Sequence, residues 1–300
     1  MRLPLTEVAG ARPFVSATSP FPPAAPPPDP PMVGVIQADV LTRAEARVRA
    51  STVRDVRYQI ELDLDRGADE FASRTTLHFS CRDEGAETFV DLRAHAVGPV
   101  VLNGSRLGPD CYDGSRIRLT GLRRDNVLVV GARCAYSRTG TGLHRFVDPV
   151  DGRVYVYTQF QPFDARRVFA CFDQPDLKAR VELSVRTPPD WTAVGNAEVV
   201  EPGPRWRFAP TPPIPTYVTS VVAGPYHRIR ERHGTLPLGL YLRQSLAERL
   251  DGEQAAEMIA LTRAGLDHFA DMFGRPYPFD AYHQLFVPEF AMARWRTSGA

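Results

Sequence analysis

Between residues 56 and 223, short runs of alternating apolar and polar residues follow one another, each closed by a turn signal. Val56, Tyr58, Ile60, Leu62 and Leu64 alternate with polar neighbours. A period of two marks a strand with one buried face and is incompatible with an amphipathic helix. Thr75–Phe79, Thr88–Leu92, Val127–Val130 and Arg153–Tyr157 repeat the theme. Val181–Arg186, Trp191–Val194, Arg205–Phe208 and Tyr217–Ala223 extend it. Asn103-Gly104 and Asp113-Gly114 supply tight turns between strands. Many short strands with frequent turns predict a mainly β architecture, an antiparallel sandwich or curved sheet.

The flanking segments differ. Pro20–Pro31 holds eight prolines in twelve residues, so residues 1–40 read as a disordered, proline-rich extension that favours polyproline II. Thr42, with Glu45 three positions on, predicts a capped helix over 41–51. After residue 225 come two strand-like runs, Tyr226–Arg232 and Leu238–Leu242. A helix follows, with Asp251 as its cap and Ala255, Met258, Ile259, Thr262, Leu266, Phe269 and Phe273 on one face. Gly274 and Pro276 stop it. A last strand runs Gln284–Val287. The division expected is 41–227 for a β domain and 228–300 for an incomplete second domain, whose helix would expose its apolar stripe and promote aggregation.

Composition narrows the partners. The chain has 300 residues, with 36 Lys and Arg against 35 acids, a formal net charge of +1. No field of one sign draws nucleic acid, and no run reaches the ~20 apolar residues of a membrane span. Cys81, Cys111, Cys134 and Cys171 lack Cys-x-x-Cys spacing and read as free, mostly buried thiols of a cytoplasmic protein. Arginine outnumbers lysine 35 to one, Lys178 alone, a bias expected of GC-rich codons.

The chemistry concentrates in Thr158-Gln159-Phe160-Gln161-Pro162 and Cys171-Phe172-Asp173-Gln174-Pro175. Gln159 and Gln161, at i and i+2 of a strand, would face one way and bind a polar ligand, or else satisfy local backbone groups. Asp173 and Asp176, flanking Pro175, read as turn formers. The seven histidines scatter and read as ordinary surface or core residues.

Taken jointly, Thr158–Ala179, Thr211-Pro212-Pro213-Ile214-Pro215-Thr216-Tyr217, Val222-Ala223-Gly224, Phe273–Pro278 and Val287-Pro288-Glu289-Phe290 resemble the aminopeptidase N family of zinc metallopeptidases, over roughly residues 41–290. The resemblance implies a β-saddle domain followed by the start of a thermolysin-like α/β domain. It implies peptide substrates with a free N-terminus, Gln161 on the substrate's α-amine with Gln159 beside it, and zinc in the full-length enzyme.

Two departures stand against the family pattern. None of the histidines is followed by Glu or has a second His four residues on, so the His-Glu-x-x-His zinc motif is absent from these residues. No catalytic or metal residue and no bound cofactor is therefore expected in this chain. Where the family shows Gly-Ala-Met-Glu-Asn, its cleft-lining motif, this chain has Ala293-Arg294-Trp295-Arg296-Thr297. Arg296 stands at the family's amine-binding Glu, and two cations at ~4 Å repel by ~4 kcal/mol at an effective dielectric near 20. The codons ATG GCG CGA TGG AGA ACT would encode Met292–Thr297, and a two-base shift in them restores the family motif. The expectation is a local frameshift or paired sequencing errors in a truncated gene, the alternative being that Arg294, Trp295 and Arg296 are a true, divergent C-terminus. The function expected is the N-terminal part of an aminopeptidase, inactive alone. Alternatives are a non-catalytic scaffold on the same fold and a family member that opens a lipid epoxide.

Overall fold

The computed structural model describes residues 40–250 and 252–290. The proline-rich extension, the Asp251 cap and positions 293–297 lie outside the described residues. Helix α1 (Arg43–Thr52) opens with the expected box: Glu45 N–H donates to Thr42 Oγ1 at 3.2 Å, and Thr42 N–H to Glu45 Oε2 at 2.8 Å.

The strands that follow are β1 (Val53–Asp63), β2 (Glu70–Cys81), β3 (Thr88–Asp91), β4 (Ala96–Leu102), β5 (Ser105–Arg106), β6 (Arg116–Leu119), β7 (Asp125–Ala135), β8 (Gly142–Val147) and β9 (Val154–Gln159). Next come β10 (Arg180–Arg186), β11 (Thr192–Gly195), β12 (Val199–Glu201), β13 (Arg205–Phe208), β14 (Val221–Gly224), β15 (His227–His233) and β16 (Leu236–Leu242). Helix α2 (Gly252–Phe273) and β17 (Tyr282–Leu285) complete the described order. The predicted mainly β architecture is what the chain adopts.

Eight strands form one open sheet, in the order β12-β13-β10-β1-β2-β7-β4-β5. Four form a second, β11-β14-β9-β8. The alternation in β1 places Tyr58, Ile60 and Leu62 inside, against Phe71, Leu77 and Phe79 of β2. Val156, Ala193 and Ala223 close the same core from the four-stranded sheet. Within the eight-stranded sheet one pairing departs from the antiparallel expectation. β1 and β10 run parallel, Arg57 opposite Arg180 through Asp63 opposite Arg186.

The run expected as one strand at Tyr217–Ala223 is split. Thr216–Val218 forms a single 3-10 turn, and β14 starts only at Val221. Thr216 Oγ1 donates to buried Asp173 at 2.7 Å, and Thr219 N–H closes onto the Thr216 carbonyl at 3.1 Å. Those two bonds turn the chain before it enters the sheet.

A third sheet, β15-β16-β17, carries α2 on one face. Its β16–β17 pair is parallel, from Leu238 opposite Tyr282 to Tyr241 opposite Leu285. Ala255 and Ile259 of the predicted stripe are buried against Leu238 and Leu240, but Phe269 and Phe273 are exposed. The helix stops as expected. Gly274, at φ 66°, donates to the Asp271 carbonyl and Arg275 to the Ala270 carbonyl, the paired bonds of a Schellman motif.

This sheet also packs on the four-stranded one. Tyr155, Tyr157, Val194, Val222 and Tyr226 meet Tyr241, with Leu285, Val287 and Phe290 around them. At one end the fully buried Asp148 accepts from Arg243 Nη1 at 2.9 Å and Ser245 Oγ at 2.5 Å. Tyr155 OH accepts from Gln244 N–H at 2.9 Å beside it.

Candidate functional site

The segment richest in sequence signal is largely a structural knot. Asp91 and Cys171 pair as an isolated bridge, which brings the loop after β9 under α1. Arg49 of α1 is almost fully buried there. Its Nη1 lies 2.7 Å from Asp91 Oδ2, its Nε donates to Gln174 Oε1 at 2.9 Å, and its guanidinium sits 4.7 Å from the Phe89 ring centroid. Asp173 precedes a turn at Pro175 and Asp176 that Leu177 N–H closes onto the Gln174 carbonyl at 3.1 Å. Asp173 itself is buried, its amide donates to Asp91 Oδ2 at 3.1 Å, and its own carboxylate accepts from Thr216 Oγ1 and the Arg166 amide. Burial, with the Asp91 charge adding, pushes the Asp173 carboxyl up to about 6. Asp176 stays exposed and accepts from Gln174 Nε2.

Gln159 closes β9 and is buried, opposite Gly142 of β8. Gln161 does not share its strand. β9 stops at Gln159, and Gln161 lies half-buried in the following turn, joined by a cis peptide to Pro162. Proline has no N–H and cannot extend the ladder, so the expected i, i+2 face is broken.

The face that carries Gln159 also carries Tyr157, two residues back, and Tyr157 pairs across the ladder with His144. Both meet the Val287–Phe290 segment. His144 Nε2 is 3.1 Å from Glu289 Oε2, Tyr157 OH donates to the Glu289 carbonyl at 3.3 Å, and the Phe290 ring stands edge-on to Tyr157 at 5.9 Å. Gly140 N–H donates to His144 Nδ1 at 3.1 Å. With Nδ1 accepting, the proton of the neutral ring is on Nε2, which donates to Glu289. Burial lowers the His144 pKa, against the raising effect of Glu289, and pushes the Tyr157 hydroxyl up to about 12. Glu289 itself is exposed and holds a backbone φ of 53°.

His144, Tyr157 and Glu289 were not singled out as a group by the sequence. His144 and Glu289 are 145 positions apart, and no local spacing joins them.

Ala293, Arg294, Trp295, Arg296 and Thr297 lie outside the described residues. Among the described residues no three His, Cys, Asp or Glu side chains gather closely enough for a metal, so the zinc implied by the resemblance has no donor set there. Cys81, Cys134 and Cys171 are buried free thiols and Cys111 is half-buried. Burial raises the Cys134 thiol to about 12, which makes it unreactive as a nucleophile. Among the described residues no helix is long and apolar enough to cross a membrane.

Residues 134–218 match the Peptidase M1 N-terminal domain. The chain is 48% identical over 270 residues to an aminopeptidase N of Streptomyces lividans, an alignment covering 87% of this chain and 31% of that protein. It is 32% identical over 137 residues to an aminopeptidase N of Acetobacter pasteurianus, covering 44% and 37%. It is 28% identical over 160 residues to a probable aminopeptidase 1 of Sulfurisphaera tokodaii, covering 52% and 20%. The chain therefore spans about a third of the length of the Streptomyces relative.

Proposed function

The chain belongs to the aminopeptidase N family, and from that premise we propose that it forms the amine-recognition part of an enzyme that removes N-terminal residues from peptides. The observation that carries this reading is the meeting of the β9 end with Glu289. One sheet face presents Gln159, Tyr157 and His144, and the exposed carboxylate of Glu289 stands against it. Amide oxygens of Gln159 and Gln161 would accept hydrogen bonds from the substrate's ammonium, and Glu289 would add the negative charge that an ammonium seeks. His144 and Tyr157 would hold Glu289 and its backbone in place. Hydrolysis in the whole enzyme would be supplied by zinc, through a donor set outside the described residues. We read 41–227 as the β domain and 228–300 as part of the catalytic domain, acting in the cytoplasm.

Titration of the 300-residue chain with alanine amide, followed by the side-chain amide resonances of Gln159 and Gln161, tests this. Saturable binding is expected, weakened about tenfold or more by Gln161→Ala, the value of a hydrogen bond to a charged group. Equal binding of N-acetylalanine amide would sink the reading. Zinc-dependent release from an alanyl chromogenic substrate by these 300 residues alone would overturn the division of labour.

A further inference from the structure

The face of the three-stranded sheet turned away from α2 bears a row of arginines. β15 places Arg228, Arg230 and Arg232 at alternate positions, so they share one side of the sheet. Ile229 packs toward Ala255 and Ile259 of α2 on the other side, and Glu231 is held there by Arg263 at 3.0 Å. Across the ladder Arg230 lies opposite Gly239, and Gly239 opposite His283. A β-carbon at 239 would come within 2.7 Å of both His283 Nδ1 and Tyr241 Cε2. Space rather than backbone conformation therefore calls for glycine, because it lets those two rings close over the strand. They meet edge-on at 5.3 Å.

The two rings, Pro237, Leu238, Arg230, Glu231 and Arg232 line a recess of about 540 Å³, in which the one carboxylate, that of Glu231, is already held by Arg263. Its charge is unbalanced. Arg116, Arg243 and Arg263 each hold an acid, but among the described residues no carboxylate lies within ion-pair distance of Arg228, Arg230 or Arg232. Arg232 gives one bond to the Thr235 carbonyl at 2.6 Å. His283 Nδ1 is buried without a partner. The positive field is felt by the neighbours: burial and then Arg230 hold the His283 imidazole down at about 4.

We propose that this recess is an oxyanion site that takes a phosphate-type dianion between Arg230 and Arg232, with Arg228 adding charge from the next position of the row. A guanidinium presents a planar fork of donors that matches two oxygens of such an ion, and the anion would relieve the repulsion of cations fixed on one strand face. The recess shares no lining residue with Gln159, Tyr157, His144 or Glu289, and the proposal does not depend on the reading given to that face.

The test is a titration of the 300-residue chain with inorganic phosphate at constant ionic strength, sodium chloride making up the balance. The His283 Cε1–H resonance, assigned with His283→Gln, is the reporter. A saturable shift is expected, with affinity falling at least about tenfold in Arg230→Gln and unchanged in Arg57→Gln, an exposed arginine of β1. Arg230 is exposed, so its variant is expected to fold, which circular dichroism checks. Any of three results overturns the proposal: a linear response, an undiminished one in Arg230→Gln, or tighter binding of acetate, a carboxylate with no amine, than of phosphate.

Discussion

The β region through Tyr226 and the β15–β17 region with α2 solve the same burial problem differently. In the first, two sheets face each other, and strand after strand places its inward side chains in one core. In the second, one sheet and one helix share a small core of Leu238, Leu240, Ala255 and Ile259. Its other sheet face is covered in part by tyrosines of the four-stranded sheet. The outer face of α2 remains uncovered, with Leu261 66%, Met272 58% and Phe273 68% exposed. A region with a small core depends on polar anchors at its edges, and here those are Asp148 with Arg243, and Glu289 with His144. The first region should therefore unfold as a unit, and the second should open locally at lower cost.

Arg49→Ala is expected to have the largest effect. It strands the Asp91 carboxylate, 2% exposed, in the core. Breaking a buried pair from one side costs about 3–5 kcal/mol. Urea unfolding monitored by the buried aromatics measures it, and a loss near zero would show that the knot does not hold the first region. Asp148→Ala comes next and addresses the second region. Losing the bonds from Arg243 and Ser245 should cost about 1.5–3 kcal/mol, as hydrogen bonds to a charged group do. Hydrogen exchange should show β16 amides losing protection while β2 and β7 keep theirs. Uniform loss across both regions would remove the distinction drawn between them.

The pH dependence follows from Asp173. Its folded pKa, about 6, lies above the ordinary 3.8, so the folded state binds the proton more tightly than the unfolded chain. Its contribution to stability is complete below about 4 and is lost as pH rises through about 6. Wild type should therefore gain stability between pH 7 and pH 5, and Asp173→Asn should flatten that slope. Glu45 works in the opposite sense at the other end of α1. The hydrogen bond from Arg116 holds its carboxyl at about 2, so its contribution is present above about 4.5 and is lost as pH falls toward 2. The smallest effect on stability is expected from Phe273→Ser on the exposed face of α2, within about 0.5 kcal/mol. Its visible consequence is reduced self-association in sedimentation velocity. A marked loss of stability instead would mean that Phe273 is part of a core.

Much of this architecture is legible residue by residue. Thr42 and Glu45 announce α1, the alternation from Val56 to Leu64 announces β1, and Asn103-Gly104 announces a tight turn, both residues at positive φ. Each signal is local, carried by residues a few positions apart. The candidate site is less legible. Gln159 is found where the strand pattern puts it, but Gln161 is displaced because Pro162 ends the ladder. Asp173 and Asp176 around Pro175 read as turn formers, yet Asp173 and Gln174 also close the knot around Arg49 and Asp91. His144 meets Glu289 only because the third sheet folds back on the second.

What the sequence by itself determined is the period of each strand, the caps and stops of the helices, and the family to which those motifs belong. These rest on propensities and on spacings within single elements. What only the tertiary structure decided is partnership: the parallel pairing of β1 with β10, the burial that turns Asp173 into a carboxyl near 6, and the row of Arg230, Gly239 and His283 across three strands. The physical reason is the same in each case. Charge, burial and hydrogen-bond partners depend on distance in space, and for these residues that distance is set by sheet register rather than by separation along the chain.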